Sequence, residues 1–317
     1  YKDYPDMHTY YMDEVFYYDH STVRVRKEEI RNRNFFYYGL TKIAPVFMQS
    51  PLYNEGLYNE IYDTEKDSAT QRVTSPSTAE GLDEGFMKGY TVMEKLPEIS
   101  KIEDDEEGTF LLLSSNMTHE TVLLQKPDYV PAEKVDNTEY DAAMAGQYVI
   151  DGVEMKMETE DQQEQYSTNM AAYLELAKWF RYMKEQGVYD NTRIILVSDH
   201  GWPVGQFGLT LPDGTDTEKF RALLMVKDFD ATGFTTDDTF MTNADVPVLT
   251  LNGLVEDPVN PFTKKKLTME PKKEGILISD PDTWVVSMDK KPQPGKWYSF
   301  VGDNASDMSQ WEYVGEH

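Results

Sequence analysis

The sequence predicts an α/β fold with a mostly parallel sheet flanked by helices. Short apolar runs bounded by turns occur at residues 109–115, 193–198 and 222–226, and such runs are typical of strands buried on both faces of a sheet. An amphipathic stretch precedes each of the first two runs. Helix, short turn and β-branched strand in succession are typical of folds built on parallel sheets.

The expected elements follow in order along the chain. A helix is predicted over 35–50 with a kink at Pro45, then a loop over 53–78, then a helix over 81–100. Residues 121–165 are polar and punctuated by proline, which predicts a long loop. The clearest helix spans about 167–186 and stops at Gly187; its apolar positions are Tyr173, Leu176, Ala177, Phe180 and Met183.

A further helix is expected over 243–254, and the chain from Pro258 onward is expected to form a small added layer. We therefore predict one α/β domain over residues 1–260, with an irregular N-terminal segment, and a C-terminal extension over 261–317 packed on the same domain.

Charge and cysteine content exclude several classes of protein. The chain carries 30 Lys and Arg against 57 Asp and Glu, a formal net charge of −27. Nucleic acid is therefore an unsuitable partner, because binding it requires a basic footprint that neutralises phosphates. With no cysteine, disulfides, thiolate metal sites and cysteine nucleophiles are excluded.

Two of the five histidines stand where a site is expected. His200 follows Asp199 at the end of one predicted strand and precedes Gly201, and His119 lies shortly after the end of another. Ligands of open α/β sheets bind outside the carboxyl ends of the strands. Carboxylate and imidazole together suit Zn²⁺ or Mn²⁺. The alternative interpretation of an Asp-His pair is a cap or a surface hydrogen bond.

The string TRIILVSDHG at residues 192–201 resembles the metal-binding strand end of the alkaline-phosphatase superfamily, in particular its sulfatase, phosphoethanolamine-transferase and lipoteichoic-acid-synthase branches. The preceding helix is similar to theirs, and residues 116–120 resemble the loop that brings a histidine to the substrate. Residues 223–226 and 243–249 resemble a later strand and helix. The resemblance covers about residues 80–260.

This resemblance implies a metal-dependent hydrolase or transferase acting on sulfate or phosphate esters, linked to a lipid or a glycan. Asp199 and His200 would be ligands of one divalent ion (Mn²⁺, Zn²⁺, Ca²⁺ or Mg²⁺), and His119 would donate to the substrate's oxyanion or leaving group. In the family a hydroxyl or modified cysteine nucleophile forms a covalent intermediate.

The sequence departs from the family pattern at its start, where no apolar strand ends in a first acidic ligand. We therefore expect a C-terminal portion of a longer membrane-anchored protein at the extracytoplasmic face of a bacterial plasma membrane. The sheet would be incomplete at its N-terminal side, and this chain would lack the nucleophile and first metal ligand. Such a chain should be inactive, and metal-dependent hydrolysis of an aryl phosphate or sulfate would contradict this expectation.

A second hypothesis is a non-catalytic extracellular binding domain that retains the sulfatase-like scaffold. Five aromatic residues near the start would then contact glycans or envelope polymers, namely Tyr10, Tyr11, Phe16, Tyr17 and Tyr18. Loss of bound metal in Asp199→Ala would favour the enzyme hypothesis over this one.

Overall fold

The computed structural model describes residues 35–37, 39–53, 70–102, 108–150, 152–269, 272, 275–281 and 294–316. The aromatic residues 10–18 of the binding-domain hypothesis lie outside this part of the chain. Internal contacts divide the chain into a first unit, residues 1–186, and a second unit, residues 187–317.

The first unit combines a helical pair with short antiparallel pairings. Residues 35–37 and 39–43 are helical, and the helix breaks at residues 44 and 45, as Pro45 predicts. The named helices are α1 (Val46–Tyr53), α2 (Glu84–Ile99), α3 (Thr138–Met144) and α4 (Glu160–Glu185). The strands are β1 (Arg72–Ser75), β2 (Thr78–Glu80), β3 (Lys134–Asp136), β4 (Val149–Ile150) and β5 (Val153–Glu154), paired as β1-β2-β3 and β4-β5.

Helices α2 and α4 pack together and form the main core of the first unit. The Asp83 carboxylate caps α2 by accepting from the Phe86 amide at 2.8 Å. Thr159 and Gln162 form a capping box that starts α4. The core contains Phe86, Tyr90, Met93 and Leu96 of α2, Ala171 and Ala172 of α4, and Met117, Val122, Leu124 and Tyr129 from between the helices.

The second unit contains two antiparallel sheets and little helix. Strands β6 (Ile194–Val197) and β7 (Leu224–Lys227) form one pair. Strands β8 (Ile276–Pro281), β9 (Gly295–Phe300) and β10 (Trp311–Glu316) form a sheet ordered β10-β9-β8. Single turns of 3-10 helix lie at Thr217–Phe220, Asn243–Asp245 and Met308–Gln310, and α5 (Val246–Leu251) follows the second.

Arg193 joins α5 to the start of β6. Its guanidinium is bonded to the carboxylate of Asp228 and donates to the carbonyls of Leu249, Thr250 and Asn252 at 3.1, 3.1 and 2.6 Å. These carbonyls end α5 and have no partner within the helix, so the planar guanidinium supplies the donors that they need.

The prediction of a mostly parallel sheet is wrong, because all four sheets of the described residues are small and antiparallel. The connection between β6 and β7 explains the pairing. Its backbone closes on itself through bonds from Ser198 to Leu223 and from Gly201 to Lys219, and through the bridge between Thr210 and Asp216. A connection folded back in this way returns β7 antiparallel to β6, whereas a parallel neighbour requires a crossover.

Three segments differ from the structure predicted for them. The predicted loop over 53–78 contains strand β1. Residues 109–115 form no strand, and Phe110, Leu111 and Leu112 are exposed. Residues 121–165 are not a loop, because they contain β3, α3, β4 and β5, and their run Val122–Leu124 is buried. An apolar run becomes a buried strand only where a neighbouring strand satisfies its backbone groups.

The predicted helices over 81–100 and 167–186 are confirmed as α2 and α4, although α4 begins earlier, at Glu160. The runs at 193–198 and 222–226 do form strands, β6 and β7, but the prediction that both faces are buried is wrong, because Val197, Met225 and Val226 are exposed. The helix expected over 243–254 is shorter, since it consists of a 3-10 turn and α5. Among the described residues, no helix has both the length and the apolar character that crossing a membrane requires.

Candidate functional site

The candidate ligand pair in the second unit begins directly after β6. Ser198 continues the ladder to β7, since its amide donates to Leu223 O at 3.1 Å and its hydroxyl accepts from the Leu223 amide at 2.8 Å. The side-chain amide of Asn243 donates to the carbonyls of Ser198 and Asp199 at 3.0 and 3.1 Å. The backbone is thereby held at the point where it leaves the strand.

A buried ion pair keeps Asn243 in place. Asp245 lies in the same 3-10 turn and accepts two bonds from the Lys272 ammonium, at 2.8 and 2.7 Å. Burial by itself would raise the pKa of the Asp245 carboxyl, but Lys272 and the bond from the Thr242 amide outweigh it and hold that pKa below its usual value. The charged carboxylate therefore anchors the turn that carries Asn243.

Asp199 and His200 present an oxygen and a nitrogen on the same side of the strand end. The Asp199 side chain is 89% exposed and that of His200 35%, and Asp199 Oδ2 lies 3.7 Å from His200 Nε2. Asp199 Oδ1 also accepts from the His200 amide at 3.0 Å. The carboxylate and the imidazole are thus both accessible and close together.

A backbone carbonyl determines which ring nitrogen of His200 carries the proton. His200 Nδ1 lies 2.7 Å from Gly201 O. A carbonyl oxygen only accepts, so Nδ1 must donate, and in the neutral ring the lone pair is then on Nε2. The nitrogen nearer to Asp199 is therefore the one with ligand capacity.

Gly201 allows this conformation because the chain passes very close to neighbouring backbone. A Cβ on Gly201 would lie 2.2 Å from Glu218 O and 2.6 Å from Arg221 O, closer than any side chain tolerates. The Gly201 amide donates to Lys219 O at 3.0 Å. Glycine is required here because the neighbouring backbone leaves no space for a side chain.

Two acidic residues hold the loop that follows Gly201, and sequence reasoning missed both. The buried Glu218 carboxylate accepts from the amides of Gln206 and Phe207 at 3.0 and 2.6 Å, and Asp216 Oδ2 accepts from the Gly205 amide at 3.1 Å. The feature of the sequence that could have identified them is the spacing Asp216-Thr217-Glu218 beside a glycine-rich segment. The sequence indicated Asn243 only as the first residue of the helix expected over 243–254.

The pair fits part of a divalent metal site. Two ligands bound about 2.0–2.2 Å from one ion lie within about 4 Å of each other, and the 3.7 Å between Asp199 Oδ2 and His200 Nε2 satisfies this condition. Metal-bound histidines also donate their other ring nitrogen to a carbonyl or carboxylate, as Nδ1 does here. Within the described ranges, no group of three or more His, Asp or Glu side chains is assembled.

His119 lies in the first unit, on a turn at residues 117–119. The buried Met117 anchors this turn against α2, where a Cβ on Gly89 would lie 3.0 Å from Met117 Cα. The His119 side chain is 66% exposed, and its Nδ1 lies 3.3 Å from Glu120 Oε1. The structure therefore brings Asp199 and His200 together in the second unit and presents His119 at the surface of the first.

Comparison with protein-family models, with curated proteins and with solved structures finds no match to this chain.

Proposed function

We propose that the chain carries part of the site of a metal-dependent hydrolase or transferase that acts on sulfate or phosphate esters, with Asp199 and His200 as two of the metal ligands. The observation that carries the proposal is the bond from His200 Nδ1 to Gly201 O, at 2.7 Å. This bond orients the ring and directs the Nε2 lone pair to the side of the Asp199 carboxylate.

The chain's own residues provide orientation and charge. Asn243 and the Gly201 backbone hold the strand end, so the backbone of the two ligands needs little ordering when an ion binds. A bound divalent ion would polarise an ester oxygen and neutralise a sulfate or phosphate group. An anionic substrate is then compatible with a chain of net charge −27.

We assign His119 the role of a donor to the substrate's oxyanion or leaving group. Its side chain is exposed on a turn whose backbone is fixed by a bond from the His119 amide to Asn116 O at 3.0 Å. Glu120 lies beside Nδ1 and can orient the ring. The proposed role concerns the substrate, so the loss of His119 should not affect metal affinity.

The resemblance to sulfatases and phosphoglycerol or phosphoethanolamine transferases also supports the proposed location and substrate class. We place the protein at the extracytoplasmic face of a bacterial plasma membrane, acting on esters linked to lipids or glycans.

Mn²⁺ binding tests the proposal. An acidic chain binds Mn²⁺ weakly through scattered carboxylates, so affinity by itself does not identify the site. Pulsed electron paramagnetic resonance distinguishes the two cases, because only a histidine ligand gives coupling of Mn²⁺ to ¹⁴N. We expect this coupling in the unmodified chain, its loss in His200→Gln, and at least about tenfold weaker specific binding in Asp199→Asn.

His119→Gln is the matched control, since it removes a more exposed imidazole that also lies beside a carboxylate. The ¹⁴N coupling should persist in this variant. Absence of nitrogen coupling with Mn²⁺, together with no binding of Zn²⁺, would contradict the metal site and favour the non-catalytic binding domain.

A further inference from the structure

A pocket in the first unit is lined mainly by aromatic rings and thioethers. It has a volume of about 310 Å³, which is within the size range of small-molecule sites. Its walls include three methionines and four tyrosines, namely Tyr129, Tyr140, Tyr148 and Tyr166, and among the described residues no side chain with a formal charge lines it. We call this feature the tyrosine pocket.

The rings of the tyrosine pocket stand at steep angles to one another. Tyr166 meets Tyr129 with ring centroids 6.0 Å apart and planes at 63°, and meets Tyr148 at 5.3 Å and 78°. Tyr140 comes from α3 and Tyr166 from α4, while Tyr129 and Tyr148 come from the segments before β3 and β4. Rings from four separate places therefore surround one small volume.

The backbone of Tyr129 supports a specific role for its ring. Tyr129 has φ of 52°, in the left-handed region that a bulky residue rarely adopts, and its side chain is buried. Strained positions of this kind persist only where surrounding structure holds them, and they concentrate at binding sites. The ring of Tyr129 is thus fixed at the pocket at a conformational cost.

Burial favours the neutral form of three of these phenols, namely Tyr129, Tyr148 and Tyr166. Burial raises the pKa of Tyr148 to about 12, with the nearby Asp141 carboxylate as the second cause, and burial also raises the pKa of Tyr129 and Tyr166. These three residues therefore offer the π faces of neutral phenol rings to the pocket.

Charge around the tyrosine pocket favours a cation. Residues 125–170 contain eleven Asp and Glu against three Lys, a net charge of −8. One of these lysines, Lys126, is fully buried and committed to bonds with Asp141 and Gln163 at 2.6 and 2.7 Å. Its ammonium lies 5.8 Å from the centroid of the Tyr148 ring, so a cation already rests against one of these rings.

We propose that the tyrosine pocket binds a quaternary or methylated ammonium group, held by cation–π contact with the four rings and by the acidic surroundings. Methyl groups on nitrogen spread the positive charge over an apolar surface, which suits tyrosine faces and thioethers. A primary ammonium is more strongly hydrated and would lose more of that hydration on entering a mainly apolar pocket, and an anion would meet net negative charge.

Three probes test the proposal on the unmodified full chain: choline, its neutral carbon isostere 3,3-dimethyl-1-butanol, and glucose. Titrations followed by saturation-transfer NMR give the affinities. Choline and its isostere have almost the same shape, so their difference reports the charge. We expect choline to bind about tenfold more tightly than the isostere, and glucose to bind more weakly than either.

Variants at one wall locate the site. Tyr140→Leu should weaken choline binding at least about fivefold, whereas Tyr140→Phe keeps the π face and should change it less than about twofold. Tyr173→Leu is the matched control, because Tyr173 is a half-exposed tyrosine of α4 that does not line the pocket. Circular dichroism establishes that each variant is folded.

The proposal is overturned if the isostere binds as tightly as choline, if choline does not bind, or if Tyr173→Leu has the larger effect. Preferential binding of glucose would also overturn it, in favour of a glycan subsite. The comparison of choline with its isostere uses the unmodified chain, so it remains decisive even if Tyr140→Leu does not fold.

Discussion

At the scale of the residue, Gly201 shows how one missing side chain permits the candidate ligand pair. The backbone carbonyls of Glu218 and Arg221 occupy the space that a Cβ would need. The same residue supplies the carbonyl that accepts from His200 Nδ1. A side chain here would displace the backbone that orients the imidazole.

We expect Gly201→Ala to lower the free energy of unfolding by about 1–3 kcal/mol through steric overlap, and to weaken Mn²⁺ binding. Urea denaturation followed by tryptophan fluorescence measures the first effect. Gly108→Ala is the control, since a Cβ there would meet no atom within 4 Å. An unchanged stability of Gly201→Ala would show that the loop is not as closely packed as described.

Asp213 is the centre of a second polar cluster, which ties a turn to the sheet of the second unit. Its Oδ2 accepts from the hydroxyl of the buried Tyr298 at 2.7 Å and from the Lys296 ammonium at 3.0 Å. Burial alone would raise the pKa of Asp213, but the bonds from Tyr298 and Lys296, with further bonds from Thr215, outweigh it and hold that pKa well below 3.8.

A carboxyl whose pKa is lower in the folded state stabilises the protein above its ordinary pKa and loses this contribution as pH falls. Asp213→Asn should therefore lower the free energy of unfolding by about 1 kcal/mol at pH 7, and the difference from the unmodified chain should shrink below pH 3.8. Urea titrations at pH 7 and below pH 3.8 measure the free energies of unfolding of the variant and of the unmodified chain. The exposed Asp303, changed to Asn, is the control; a difference that stays constant with pH would rule out the linkage.

At the scale of the element, α4 shows that packing selects which face of a helix is buried. The expected apolar face contained Tyr173 and Ala177, yet both are exposed. The buried face carries Ala171, Ala172 and Met183. Small side chains let α2 approach closely, and a gain in contact along the whole helix outweighs burial of one tyrosine.

Glu164, in the second turn of α4, carries an unfavourable charge. Burial raises the pKa of Glu164 to about 7, and the neighbouring Asp161 and Glu160 add to the effect. A carboxyl with a raised folded-state pKa destabilises the fold once pH rises from 4.5 through 7.

Glu164→Gln should therefore stabilise the first unit by about 1 kcal/mol at pH 8, after allowance for partial exposure, and the gain should disappear at pH 4. Thermal unfolding at about pH 8 and about pH 4 measures the difference in stability between the variant and the unmodified chain. Glu185→Gln, exposed in the last turn of the same helix, should show a smaller dependence on pH. A gain at pH 4 equal to that at pH 8 would exclude the charge as its cause.

Two apolar runs of similar composition have different structures. Phe110–Leu113 is exposed, whereas Val122–Leu124 is buried. Thr168 of α4 and Gln71 exchange hydrogen bonds with the backbone of Val122 and Leu123, which satisfies the polar groups of the buried run. Such partners are distant in sequence, so the residues of either run do not by themselves show whether that run is buried or exposed.

At the scale of the whole molecule, contacts concentrate within residues 1–186 and within residues 187–317. Phe86 is buried in the helical core of the first unit, and Phe300 is buried in the sheet of the second. Truncation of either ring removes packing worth about 3–5 kcal/mol in its own unit.

Phe86→Ala should increase amide hydrogen exchange in residues 70–186 while leaving 187–317 nearly unchanged, and Phe300→Ala should do the reverse. Exchange detected by mass spectrometry measures both, and each variant serves as the control for the other. Equal increases along the whole chain in either variant would show that the chain unfolds as one cooperative unit.

The sequence by itself determined the positions of α2, β6 and β7 and the greater part of α4, because periodic apolar residues and short apolar runs act over a few neighbours. It also identified Asp199, His200 and Gly201 as adjacent candidates at a strand end. Only the tertiary structure decided that β7 returns antiparallel, which face of α4 is buried, and that Glu218 and Asn243 hold the ligand pair. These features depend on contacts between residues far apart in the chain. Local sequence patterns do not show which distant residue will pair with a strand, pack on a helix or bond to a strand end.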